Sequence, residues 1–113
     1  MLEKDVERKL REGVKKEIPK AKCLKFVSPG FVGIPDRIIL LPGGVTVFVE
    51  LKRQGKTERQ RQLFVQASLR KLGFTVFSTI DSPEKAWGVV EYCKGKAEEA
   101  TRGQNQKRNG GEG

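Results

Sequence analysis

The chain contains no histidine. That absence excludes hydrolases that use imidazole as base or ligand, together with the Ser-His and Cys-His nucleophile systems. A hydrolase built from this sequence must activate its water through a metal, a carboxylate or a lysine. Cysteine is scarce too: Cys23 and Cys93 are the only two, far apart and without Cys-x-x-Cys spacing. They read as reduced, core-type thiols of a cytosolic protein, not as a zinc site or a disulfide framework. No apolar run approaches the length of a signal peptide or a membrane-spanning helix. The lysines and arginines do not gather on one face of an amphipathic helix, which counts against a membrane-surface role. Nothing resembles a helix-turn-helix or a zinc finger, and no internal repeat is present.

What the chain does have is positive charge. Its 113 residues carry 23 Lys and Arg against 14 Asp and Glu, a formal net charge of +9. The length suits one domain with a single modest core. The charge, with a pI near 9.8, points to a polyanionic partner.

The most informative stretch runs from Gly33 to Lys52. Ile38 to Leu41 and Val45 to Lys52 read as strands, and Pro42-Gly43-Gly44 between them closes a hairpin. If Leu41 faces Val45, the same register sets Asp36 opposite Glu50. Opposed carboxylates at about 4.5–5.5 Å between Cβ atoms destabilise a sheet unless something offsets the repulsion. A divalent cation held by both is the economical candidate. Alternation along the strand puts Lys52 on the face of Glu50 while Leu51 points the other way. Two carboxylates and one ammonium therefore converge on one spot.

Around that hairpin the periodicities change. Leu2, Val6, Leu10, Val14 and Ile18 form the apolar stripe of a first helix, which ends at Pro19. Glu3 and Glu7 stack beside the stripe, and spacing does not choose between them. Cys23 to Val27 reads as a strand, and the breaker-rich loop 28–33 leads to Pro35, whose fixed φ aims Asp36. Lys52 to Lys56 is a basic loop leaving the proposed metal where a phosphate backbone would pass, which makes Arg53 and Lys56 candidate DNA contacts. Thr57 is the expected N-cap of a helix over 58–72, with Leu63, Ala67 and Leu69 among its apolar positions and Gly73 as its stop. Phe74 to Ile80 is a strand, and its crossover predicts parallel pairing with the Glu50 strand. Ser82-Pro83 opens a last helix in which Trp87, Val89 and Val90 supply core surface. From about Gly95 the chain is polar, so residues 1–94 form the expected domain and 95–113 a disordered tail.

The pattern Gly33-x-Pro35-Asp36-Arg37, Gly43-Gly44 and Phe48-Val49-Glu50-Leu51-Lys52 resembles the PD-(D/E)xK nucleases. More narrowly, with Lys25-Phe26-Val27-Ser28-Pro29-Gly30, Gln62 and Leu72-Gly73-Phe74, it is similar to the virus-type replication-repair nuclease (VRR-NUC) domain in its stand-alone phage form. The resemblance implies an α/β restriction-endonuclease-like core of order αβββαβ, with a mixed central sheet flanked by helices. It implies Mg²⁺ or Mn²⁺ held by Asp36, Glu50 and the Leu51 carbonyl, with a first-helix acid, Glu7 or Glu3, adding to the site. All-oxygen ligation suits these hard cations. Lys52 then serves the attacking water and the transition state. The family's glutamine aligns with Gln62, with Gln60 and Gln66 close by. Lys25, Ser28 and Arg37 become DNA contacts by the same likeness. The implied function is a metal-dependent, structure-specific DNA endonuclease, Holliday junction resolvase-like, acting as a homodimer on branched DNA in the cytoplasm of a phage host. Two other readings share parts of this pattern: a nicking or degradative nuclease without junction preference, and a non-catalytic DNA-binding module.

Overall fold

A computed structural model describes residues 3–52 and 58–110, with side chains placed through Gly103. The elements follow the order α1 (Glu3–Glu17), β1 (Lys22–Lys25), β2 (Arg37–Leu41), β3 (Val45–Leu51), α2 (Gln60–Lys71), β4 (Thr75–Ile80) and α3 (Pro83–Gly110). The sheet runs β1-β2-β3-β4, antiparallel through the first three strands and parallel between β3 and β4. This is the expected αβββαβ core with a closing helix.

The hairpin takes the register the sequence calls for. Leu41 pairs with Val45, and the ladder continues to Arg37 opposite Val49. Gly43 and Gly44 turn the chain at φ of +86° and +76°, a region open to glycine and costly for other residues. Gly43 has a second constraint, because a Cβ there would lie 2.5 Å from the Cβ of Ala100 on α3.

Alternation along β3 sorts the molecule into layers. Val47, Val49 and Leu51 join Val6, Leu10 and Val14 of α1 and Ala86, Val89, Val90 and Cys93 of α3 in one buried cluster. The four-residue spacing of the α1 stripe is therefore core, as expected. Truncating one such residue, Leu10 for instance, costs on the order of 2–5 kcal/mol. Phe48 and Glu50 face the other way, toward α2. Phe48 meets Phe74 edge-on, with ring centroids 5.5 Å apart, and Phe26 at 6.1 Å. Burial pushes the Cys93 thiol up to about 12 and that of Cys23 up to about 11, and both are free.

Several expectations need correction. The chain does not turn to tail at Gly95; α3 continues to Gly110. Its small residues explain why, since Ala97 is buried against the core and Ala100 lies over the Gly43 turn. Trp87 is not core but 37 % exposed, with the Lys9 ammonium 5.6 Å from its ring. The buried positions of α3 are Ala86, Val89, Val90, Cys93 and Ala97, and Trp87 falls at the rim of that helical stripe. The first strand is shorter than expected, Lys22–Lys25, although the Phe26 amide still donates to the Asp36 carbonyl at 2.8 Å. Helix α2 begins at Gln60 with Arg59 at the N-cap; Thr57 lies outside the described residues. Leu63 and Ala67 are exposed, and the buried positions of α2 are Val65 and Gln66. The helix has no clean apolar stripe, so periodicity could not fix its inward face. Ser82 caps α3 as expected, its hydroxyl accepting from the Lys85 amide at 3.2 Å. Among the described residues no helix is long and apolar enough to cross a membrane.

Candidate active site

The site forms where β2 begins and β3 ends. Pro35 is fully buried, which fixes the chain just before Asp36. Asp36 and Glu50 sit one step beyond the last ladder pair, and two reciprocal bonds hold them together. The Asp36 amide donates to Glu50 Oε1 at 3.1 Å, and the Leu51 amide donates to Asp36 Oδ1 at 3.2 Å. Each carboxylate thus completes the backbone pairing of the other strand's end.

Glu50 is only 4 % exposed. Its Oε2 lies 3.2 Å from Lys52 Nζ and accepts from Gln62 Nε2 at 3.1 Å. Gln62 in turn accepts on Oε1 from Lys52 Nζ at 3.1 Å and from the Arg59 amide at 2.9 Å. Only this orientation of the amide satisfies all three neighbours, because an ammonium and an N–H need an oxygen and a carboxylate needs the NH₂. Gln62 therefore ties the first turn of α2 to both Glu50 and Lys52. Gln60 is exposed, and Gln66, one turn on, is fully buried. Both side-chain polar atoms of Gln66 lack a hydrogen-bond partner.

The electrostatics match two acids crowded out of water. Burial raises the pKa of Glu50, and the charge of Asp36 raises it further against the lowering effect of Lys52. Burial also raises Asp36, opposed by the Leu51 amide and the Arg37 guanidinium, while Glu3 adds to the rise. One cation stands by each acid, Lys52 Nζ 3.2 Å from Glu50 and Arg37 NH1 3.9 Å from Asp36, yet burial outweighs both.

The first-helix acids divide. Glu7 Oε2 lies 3.4 Å from Arg11 Nε and 3.7 Å from Arg37 Nε, so its charge is answered by arginines. Glu3 is the α1 acid whose charge reaches Asp36. Among the described residues no three Asp, Glu, Cys or His side chains cluster as a metal-ligating group. Arg37 acts as a brace: its side chain is 14 % exposed, and NH1 donates to the Asp36 carbonyl at 2.9 Å. Its side chain is therefore mostly occupied within the protein, beside the site. Lys25 is exposed at the end of β1, and Ser28 is half-buried with its carbonyl accepting from the Phe31 amide. Arg53 and Lys56 lie outside the described residues.

Three features escaped the sequence reading. Between Val49 and Leu51 of β3, strand β4 spends an extra residue, running from Phe77 to Ile80. This bulge puts Thr79 at φ +55°, the one described non-glycine residue with positive φ. The Glu58 carboxylate clasps it, accepting from both the Thr79 amide and its hydroxyl. The Lys52 amide donates to Ile80 at 3.0 Å, so the bulge lies directly beside the site. The third feature is Arg61, whose Nε donates to the Val32 carbonyl at 3.1 Å. No sequence signal marks any of these, since each depends on which segments the fold brings together.

A mixed sheet between helical layers, with an Asp and a Glu-x-Lys meeting where two antiparallel strands end, is the architecture of the PD-(D/E)xK nucleases. Comparison with known proteins narrows the class. A solved VRR_NUC domain superposes with a TM-score of 0.69 at 26 % identity, covering 80 % of this chain and 97 % of that one. "Putative nuclease p44" of Acyrthosiphon pisum secondary endosymbiont phage 1 is 45 % identical over 60 residues, which span 53 % of this chain. The match covers 63 % of the phage protein's own length. No family model matches. The chain therefore has the fold of a VRR-NUC domain and resembles a phage nuclease over about half its length.

Proposed function

We propose that the protein is a metal-dependent DNA endonuclease that hydrolyses phosphodiester bonds. The observation that carries this reading is the joined set of Asp36, Glu50, Lys52 and Gln62, with two acids held against each other and both shifted toward protonation. A donor set of two carboxylates and a backbone carbonyl fits Mg²⁺ or Mn²⁺, which commonly take one or two carboxylates and fill their remaining positions with water and substrate phosphate. Asp36, Glu50 and the Leu51 carbonyl would hold the ion, with a first-helix acid, Glu7 or Glu3, adding a carboxylate. When bound, it supplies a lower pKa for coordinated water and charge neutralisation at the phosphate.

The chain's own groups do the rest. Glu50 and Gln62 fix Lys52 Nζ from two sides, so the ammonium is preorganised where charge develops on the phosphate. Lys52 also orients the attacking water. Gln62 passes the position of α2 into the site, so a substrate touching that helix is registered against the reacting atoms. Net charge of +9 provides sequence-independent affinity for the phosphate backbone.

Branched DNA is the substrate we favour, with four-way junctions foremost, cut by a homodimer in the host cytoplasm where a phage-encoded enzyme of this kind would act. Paired incisions across a junction call for two sites related by symmetry. The experiment is a cleavage assay in Mg²⁺ or Mn²⁺ on junction, flap, fork and linear duplex, with mass measured by light scattering. Symmetric paired nicks on junctions by a species of dimer mass support the reading. Equal action on all four DNAs by a monomer assigns a nicking nuclease in its place.

A further inference from the structure

Beside the carboxylates the surface carries two aromatic rings that no core position explains. Phe31 is 47 % exposed and Phe64 is 64 % exposed. Between them stands Arg61, its guanidinium carbon 5.3 Å from the Phe31 centroid and 5.7 Å from that of Phe64. The rings come from separate segments, the loop before Asp36 and the outer side of α2. Two contacts fix the loop to the helix. Arg61 Nε donates to the Val32 carbonyl at 3.1 Å. Gly33, at φ +96°, brings the backbone so close that a Cβ would lie 3.0 Å from Arg61 Cγ and 3.1 Å from both the Arg61 carbonyl and Val65. Arg61 also precedes Gln62, which holds Glu50 and Lys52. The cluster is a built surface joined at both ends to the site.

We infer that Phe31, Arg61 and Phe64 form a stacking platform that receives an unpaired nucleobase of the DNA substrate. The inference rests on the nuclease reading for its substrate class and adds the feature that separates branched from paired DNA. Exposed rings offer a face to any base, and stacking is tolerant of sequence. A guanidinium set among them stacks on a base as well and keeps donors for the neighbouring phosphate. In fully paired linear DNA every base is already stacked. A fork or flap supplies a free base directly, and a four-way junction supplies one when a pair at the exchange point opens, so the rings reward the branch. A second copy of this chain is the rival occupant. A two-fold contact centred here would set one Arg61 against the other, which a basic protein can ill accommodate.

The test uses the full chain without divalent metal and two oligonucleotides, a paired duplex and the same duplex carrying unpaired 2-aminopurine. Wild type is expected to bind the second more tightly and to quench its fluorescence. Phe31→Ala with Phe64→Ala should weaken binding of the unpaired DNA by roughly 5- to 150-fold, with affinity for the paired duplex changed less than about twofold. Phe64→Trp should keep the preference, and Phe64→Leu, which keeps apolar bulk but no ring, should reduce it. Equal weakening on both DNAs, or no change on either, overturns the platform. A halved mass of the double variant in light scattering also overturns it and makes the patch a subunit interface. Binding is read without cleavage, so a protein that binds unpaired DNA this way yet never cuts would sink the nuclease reading alone.

Discussion

Asp36→Asn should make the metal-free protein more stable. In the fold, Asp36 and Glu50 are two partly or fully buried acids whose backbones and carboxylates interlock, and burial raises the pKa of both. Like charges opposed across antiparallel strands cost about 0.2–1 kcal/mol. The asparagine oxygen can still accept from the Leu51 amide, so the substitution removes the charge and keeps the bond. A gain near 1 kcal/mol corresponds to a rise in Tm of roughly 4–8 °C for a domain of about this size. The pH dependence has a definite sign. An acid with a raised folded pKa binds its proton more tightly folded than unfolded, so wild type gains stability as pH falls through the folded value. The advantage of Asp36→Asn should therefore shrink toward acid pH. Millimolar Mg²⁺ or Mn²⁺ should reverse the order at neutral pH, because a ligand that binds the folded state stabilises it and the variant has lost a ligand. Thermal melts in EDTA at several pH values, repeated with metal, read all three effects. A variant that melts lower than wild type in EDTA at neutral pH would refute the reasoning, since the Leu51 bond to a charged acceptor would then outweigh the repulsion.

Other outcomes follow from the same geometry. Gln66→Met should raise stability by about 1 kcal/mol in a urea melt, because it removes a buried amide without partners; a loss would show that the amide is satisfied. Gln62→Leu should lower cleavage about 10- to 100-fold while the fold survives, since it frees Lys52 and Glu50 from their common support. An unchanged rate would make Gln62 a helix-capping residue only. Gly43→Ala should destabilise by about 1–3 kcal/mol through its left-handed backbone and its collision with Ala100; a circular dichroism melt matching wild type would mean α3 yields at that turn.

The parts legible in the sequence are those governed by local rules. Strand alternation and a two-glycine turn were enough to place Asp36 against Glu50, with Lys52 on the same face. The stripe from Val6 to Ile18 announced its buried side because nothing polar interrupts it. What was hidden depends on tertiary neighbours. Helix α2 presents Leu63 and Phe64 outward and buries Gln66 without a hydrogen-bond partner, the reverse of what hydropathy suggests. Glu7 and Glu3 share a helix face, and Arg11 on the same helix together with Arg37 on β2 pairs with Glu7. The polar composition after Gly95 suggested a tail, yet Ala97 is buried and Thr101 bonds back to its carbonyl at 3.0 Å within a continuing helix. The bulge at Thr79 carries no turn residue at all, so its left-handed backbone is imposed by the strand pairing and the Glu58 clasp.

The central claim is that Asp36, Glu50 and Lys52 carry out metal-dependent hydrolysis of DNA. The direct measurement is cleavage of a labelled four-way junction, in Mg²⁺, Mn²⁺ or EDTA, by wild type, Asp36→Asn, Glu50→Gln and Lys52→Ala, each shown to be folded. The account predicts cutting by wild type in metal alone, and none by any of the three variants although each still binds the DNA. Near-wild-type cutting by any one of them, or cutting by wild type in EDTA, would contradict it.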